Sequence, residues 1–230
     1  MDFSLRSRDY VEYIKRAYEL IHSRGDYITE LDSATGDGDH WTNINMGFES
    51  LVQQAERLEE MELSEQFKMQ AKILRFFKQF REIGRIMMSV IGGSSGILYG
   101  SAYIAASKTL EGKEKIGEET LYEVLLSMLD AIISRGQAKE GDKTMIDSLA
   151  PAVKKYKECL DRQEDAELLC EEVKKAAEEG AENTKKMEAV RGRASYQADR
   201  GLGHLDPGAV TMSYQLVTLM DFAAEKSREK

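Results

Sequence analysis

Apolar residues recur along this chain at three- and four-residue intervals, and no stretch alternates convincingly at period two. An α-helix turns once in 3.6 residues, so such spacing lines one face of a helix, whereas a half-buried strand would alternate. Tyr10, Val11, Ile14, Tyr18 and Ile21 predict a helix over 9–22, ended by Gly25. A short helix over about 26–33 follows, and then a glycine-rich stretch, Thr35 to Trp41, too loose for a regular element. Ile44, Phe48, Leu51, Ala55 and Leu58 predict a helix over 42–59, and Phe67, Ala71, Leu74, Phe77 and Ile86 a long one over 63–90. Gly92 and Gly93 break that helix, and another starts at Ser94 or Ser95 and runs to about Leu110. Its small residues, Gly96, Gly100, Ala102, Ala105 and Ala106, admit the close approach of either a helix or a ligand. Three more helices are predicted over 117–135, 142–160 and 164–188, with Pro151 set to kink or split the second. The last runs from about Pro207 to Lys226, proline standing at a favoured first-turn position.

Long helices joined by short loops make antiparallel neighbours, so the pattern predicts an all-α fold, a closed antiparallel barrel or bundle of about eight helices. There is no strand–helix rhythm, which argues against a Rossmann or P-loop fold. The chain has 230 residues, 42% of them hydrophobic, enough for a sizeable core and consistent with one domain over 1–230. Only two prolines occur, in keeping with long unbroken helices.

The formal charge of −9 argues against nucleic acid and anionic membrane as main partners. An anionic ligand would need a local positive source. Cys159 and Cys170 have no histidine cluster near them, so they suit burial better than a zinc site. The first residues lack an apolar signal core and no run of 18 apolar residues occurs, so a cytoplasmic location is expected.

The chemistry concentrates in four segments. The first is Asp32-Ser-Ala-Thr-Gly36-Asp37-Gly38-Asp39-His40, three carboxylates within eight residues, interleaved with glycines that let the chain curl. Close carboxylates repel unless a cation lies between them, and hard oxygen donors suit Mg²⁺ or Ca²⁺. An EF-hand is excluded, because Asn43 stands where its glutamate is needed. The same residues also suit an acidic surface turn. The second segment, Gly92-Gly93-Ser94-Ser95-Gly96, opens a helix whose free amides favour an anion, or is a plain helix break with serine caps. The third, Gly141-Asp142-Lys143-Thr144-Met145, reads as a helix start with Asp142 near the N-cap. The fourth spans Arg191 to Gly208. Its arginines Arg191, Arg193 and Arg200, with His204, are the local positive source a phosphate would need.

Together these segments resemble the L subunit of bacterial dihydroxyacetone kinase. LDSATGDGDHWTNINMGF, GGSSGILYGSA, ISRGQAKEGDKTM and GRASYQADRGLGHLDPGA stand in that family's order and at roughly its spacing. The resemblance implies an all-helical barrel with a nucleotide, ADP or ATP, bound at one end. It implies that Asp32, Asp37 and Asp39 hold two Mg²⁺ ions that bridge the phosphates. His40, Asn43, Ser94 and Ser95 would then touch the nucleotide, Gly136 and Met145 would line the adenine pocket, and Asp206 and Pro207 would close the site. Arg193 would be the catalytic residue, reaching the phosphates where charge develops. By the same likeness, dihydroxyacetone would be held on a separate K subunit. A phosphotransferase-system M subunit would recharge a resident ADP. A regulatory or adaptor paralogue that keeps the nucleotide fold, or a kinase subunit for another small ketose, fits the same residues. One departure is Trp41, where the family usually has glycine. Its bulk would narrow the phosphate site, alter docking of the K subunit, or stack outward.

Overall fold

The computed structural model describes residues 3–59 and 68–229. Their regular structure is helical: α1 (Ser7–Ser23), α2 (Gly25–Thr35), α3 (His40–Gln53), α4 (Ala55–Glu59), α5 (Lys68–Val90), α6 (Gly93–Thr109), α7 (Glu118–Gly136), α8 (Ile146–Asp161), α9 (Ala166–Asn183) and α10 (Pro207–Arg228). Short 3₁₀ turns at Thr184–Lys186 and Arg193–Tyr196 interrupt the connection between α9 and α10. Among the described residues the β-type pairing is one isolated bridge, Leu5 with Ile116.

Eight helices close a ring. α1 packs on α3, α3 on α5, α5 on α6, α6 on α7, α7 on α8, α8 on α9, α9 on α10, and α10 returns to α1. This is the closed helical bundle that the hydrophobic period predicts. Helices joined by short connections run in opposite senses, so alternate connections emerge at the same end. The joints α2–α3, α5–α6, α7–α8 and α9–α10 therefore share one end.

The ring is filled by large side chains, among them Phe48, Phe76, Phe80, Tyr99, Tyr103 and Tyr156, all essentially inaccessible. Buried phenols need partners. Tyr10 donates to the Tyr103 hydroxyl (3.3 Å), and the Gln215 amide donates to the Tyr99 hydroxyl (2.8 Å). The small residues of α6 serve helix packing. A Cβ on Gly84 of α5 would stand 2.9 Å from the Gly100 carbonyl oxygen, so the two helices meet at a glycine pair.

Several boundaries differ from the sequence expectation, each for a local reason. The helix expected over 42–59 begins at His40 and breaks at Gln54, giving α3 and α4. The first residues of the helix expected over 63–90 lie outside the described residues. α9 starts at Ala166 because Asp165 caps it, its carboxylate accepting the Glu167 and Leu168 amides at 3.0 Å. Pro151 neither splits nor ends α8. It cannot donate to the Asp147 carbonyl, and that carbonyl faces Gly180 of α9, where a side chain would have no room. α8 starts at Ile146, not Asp142. Asp147 accepts the amides of Gly141 (2.5 Å) and Thr144 (2.7 Å), which holds 141–145 as a turn, and Asp142 accepts the Lys139 amide instead of capping α8.

Candidate functional site

The acidic run lies where α2 gives way to α3. Asp32 is in the last turn of α2 and is buried, whereas Asp37 and Asp39 are exposed. One Asp32 carboxylate oxygen accepts the His40 amide at 3.0 Å, folding the connection back on itself. The other occupies the space that a Cβ on Gly36 would need, and Gly38 turns the chain at φ +74°. Both glycines are thus required by the turn that gathers the acids. Carboxylate oxygens of Asp32, Asp37 and Asp39 all lie within 4.8 Å of one another. Three anionic oxygens at that spacing repel unless a cation offsets them, and a small divalent ion that prefers oxygen matches the donor set. The Arg193 guanidinium, from the 3₁₀ turn of the last connection, pairs with Asp37 and reaches Asp39 at 3.8 Å. The positive source expected from the arginine loop is therefore delivered to the acidic run itself.

The rest of this end follows from the same four joints. The His40 ring bonds Thr211 of α10 through Nε2 and Oγ1 at 3.0 Å. Burial lowers its pKa, although Asp32 and Asp39 pull the other way. Asn43, one turn into α3, faces the α5–α6 joint, where a Cβ on Gly92 would stand 2.9 Å from its amide oxygen. Beyond that joint Ser94 and Ser95 form the first turn of α6, with Ser94 exposed. Gly136, the last residue of α7, stands against Leu98 of α6, and Met145 is buried beside Gly208 of α10.

Asp206 caps α10, accepting the Ala209 amide at 2.7 Å, with Pro207 buried behind it at the first helical position. Its own amide donates to Thr184 Oγ1 at 2.9 Å. Burial pushes its pKa from 3.8 to about 7, with Asp147 and Asp32 adding to the rise and the Ala209 amide and Lys143 opposing it. Raised carboxyl pKa values gather where charge is handled.

Three residues of this end were given no role by the sequence. Thr211 looks like ordinary core spacing in α10, Asp147 like a helix-face acid, and Lys143 was part of the third segment without a function of its own. Lys143 is in fact buried, with its ammonium on two backbone carbonyls. The one hint was the glycine-led turn Gly141-Asp142-Lys143. Trp41 does not stack outward. Its indole N–H donates to the Ile21 carbonyl (3.2 Å), and the ring packs over Gly25 at the joint of α1 and α2.

A helical ring with clustered carboxylates and an arginine at one end defines a class, and comparison with known proteins agrees. Residues 34–221 match the DAK2 domain, and the chain belongs to that family. It is 30% identical over 222 residues to the ADP-binding subunit DhaL of the PEP-dependent dihydroxyacetone kinase of Escherichia coli, covering 96% of this chain and 100% of that one. It is 36% identical to the DhaL subunit of the PEP-dependent dihydroxyacetone kinase 1 of Listeria innocua, covering 83% of this chain and 84% of that one. Among solved structures, the dihydroxyacetone kinase of C. freundii in complex with AMP-PNP and Mg²⁺ superposes with a TM-score of 0.65 at 25% identity. That match covers 92% of this chain and 33% of the other, so the chain corresponds to about a third of that enzyme.

Proposed function

We propose that this chain is the nucleotide-carrying L subunit of a dihydroxyacetone kinase, a phosphotransferase whose complete active site needs a second subunit. The observation that carries the reading is the convergence of three carboxylates with Arg193 at one end of the ring. Asp32, Asp37 and Asp39 would hold Mg²⁺, two ions by family likeness, and the metal would offset phosphate charge. His40 and Asn43, with the first-turn amides and hydroxyls of Ser94 and Ser95, bind phosphate oxygens. Gly136 and Met145 take the base, and Asp206 with Pro207 closes the site.

Phosphoryl transfer needs positioning and charge neutralisation more than covalent chemistry. In this chain Arg193 supplies positive charge. It is paired with Asp37 and Asp39 and would stabilise the transferred group as charge builds there. The His40 ring, held on Thr211, would offer a hydrogen bond at the phosphates. Val190, Tyr196 and Leu202 of the same connection are exposed, Tyr196 by 90%, and would offer apolar contacts to the subunit that carries dihydroxyacetone. ADP is a resident cofactor, recharged by a phosphotransferase-system M subunit. The names of the Escherichia coli and Listeria relatives, both PEP-dependent, support this branch. No described helix is long and apolar enough to cross a membrane, in keeping with the cytoplasmic site we assign. One continuous core from Phe3 to Ala224 supports a single domain over 1–230.

The test is reconstitution with a K subunit of this family. A single round of transfer to dihydroxyacetone from ATP loaded on this chain, lost on omission of either chain, is expected, with repeated turnover only when a phosphorylated M subunit is added. No transfer, with Mg²⁺-ATP bound normally, would exclude dihydroxyacetone kinase activity and favour another ketose or a regulatory role.

A further inference from the structure

Lys143 is only 2% exposed, yet it sits in a turn at the end of the ring and not in the apolar core. Its backbone is left-handed, φ +60°. A residue with a side chain adopts that conformation at a cost, and persists there when its surroundings hold it. What holds it is the tip of the side chain. Nζ donates to the Thr184 carbonyl at 2.6 Å, where α9 ends, and to the His204 carbonyl at 2.5 Å, just before α10. Those two carbonyls bracket 185–203, the segment that carries Arg193. Burial lowers the pKa of Lys143, and the attraction of Asp206, Asp147 and Asp199 opposes that in part.

The neighbours of Lys143 fasten the same segment. The Asp142 carbonyl accepts the Val190 amide at 3.1 Å. The Arg191 guanidinium donates to the Gln137 carbonyl at 2.9 and 3.1 Å. Gly201 lies directly on the lysine stem, where a Cβ would stand 3.2 Å from Lys143 Cε. Within the segment, the Ala189 amide donates to Arg200 (2.9 Å) and the Gly203 amide to Lys185 (2.8 Å), so the chain doubles back with both ends at the ammonium.

We propose that Lys143 is a positioning residue: its ammonium joins the two ends of the arginine segment to the α7–α8 turn, and so sets Arg193 over Asp37 and Asp39. The role in phosphoryl transfer rests on the function proposed above; the clamp itself does not. Removing the ammonium strips two backbone carbonyls, that of Thr184 buried, of a charged donor. It also frees the ends of a segment with little core of its own, which then opens more often.

Hydrogen exchange, read by mass spectrometry on peptides spanning 187–206 in nucleotide-free protein, tests this directly. Lys143→Met should speed exchange of the Ala189, Val190 and Gly203 amides by about tenfold or more. Lys143→Gly should do the same while relieving the left-handed strain, which keeps the test open if the methionine variant folds poorly. Leu149→Ala, a core truncation, is the control for general loss of stability. Arg193→Ala and Lys143→Gly should also be non-additive in Mg²⁺-ADP affinity, because the lysine acts through the arginine. Exchange at the wild-type rate in both lysine variants overturns the proposal, as does equal acceleration in the leucine control or full additivity with Arg193→Ala. Failure of the wild-type chain to bind Mg²⁺-ADP would instead strike the functional reading and leave the exchange result interpretable.

Discussion

Asp206 allows a prediction with a worked magnitude. Its carboxylate caps α10 through the Ala209 amide, and burial, aided by Asp147 and Asp32, lifts its pKa from 3.8 to about 7. A carboxyl whose folded pKa lies above its unfolded one binds a proton on folding, so its ionisation opposes the fold. The cost is absent below pH 3.8, grows as pH rises between the two values, and stays constant above the folded one. That interval corresponds to roughly 4 kcal/mol. Asparagine caps a helix about as well as aspartate and cannot ionise. Asp206→Asn should therefore raise stability by only about 1 kcal/mol at pH 4.5 and by about 2–4 kcal/mol at pH 8.5. The assay is urea unfolding at both pH values, with chelator and without nucleotide. An equal effect at the two pH values, or a loss at pH 8.5, would refute the argument. If Asp206 closes the nucleotide site, the same variant should bind Mg²⁺-ADP more weakly, a stabilisation gained at the expense of function.

Asp37→Ala removes one of three gathered carboxylates and should weaken Mg²⁺-dependent nucleotide binding by at least about a hundredfold, read by calorimetry; wild-type affinity would sink the metal assignment. Arg193→Ala breaks an exposed pair, so unfolding should change by less than about 1 kcal/mol, whereas transfer in the reconstituted enzyme should fall by about a thousandfold or more. A transfer rate near wild type would remove Arg193 from the catalytic role. Gly25→Ala would put a Cβ 2.8 Å from the Trp41 ring, so it should cost about 1–3 kcal/mol and shift the emission of the only tryptophan. Unchanged emission and stability would contradict the packing described for Trp41.

The helices were legible because tertiary burial and local period agree along most of the chain. Tyr10, Val11, Ile14 and Ile21 all point into the core, as their spacing requires. What the sequence could not show depended on contacts between distant segments. The start of α8 was displaced because Asp147 captures the amides of 141 and 144, so that Asp142 could not act as the cap. Pro151 stands inside α8, where Gly180 of another helix leaves room for the proline ring and the Asp147 carbonyl. At the site, the acidic run was legible as a local cluster, and Arg193 as positive charge in need of a partner. Lys143 was not, since its burial arises only when 184 and 204 return to the α7–α8 turn. Trp41 was misleading for a related reason: next to the acids in sequence, its side chain belongs to the α1–α2 joint.

The central claim is that this chain carries a nucleotide on Mg²⁺ at the acidic end of the ring. The most direct test is to purify the protein in Mg²⁺-containing buffer without chelator, denature it, and identify the released nucleotide by mass and the metal by elemental assay. ADP with about two Mg²⁺ per chain is predicted, with both lost in Asp37→Ala. A wild-type protein that releases no nucleotide, and takes up neither ADP nor ATP when Mg²⁺ is supplied, would contradict the account.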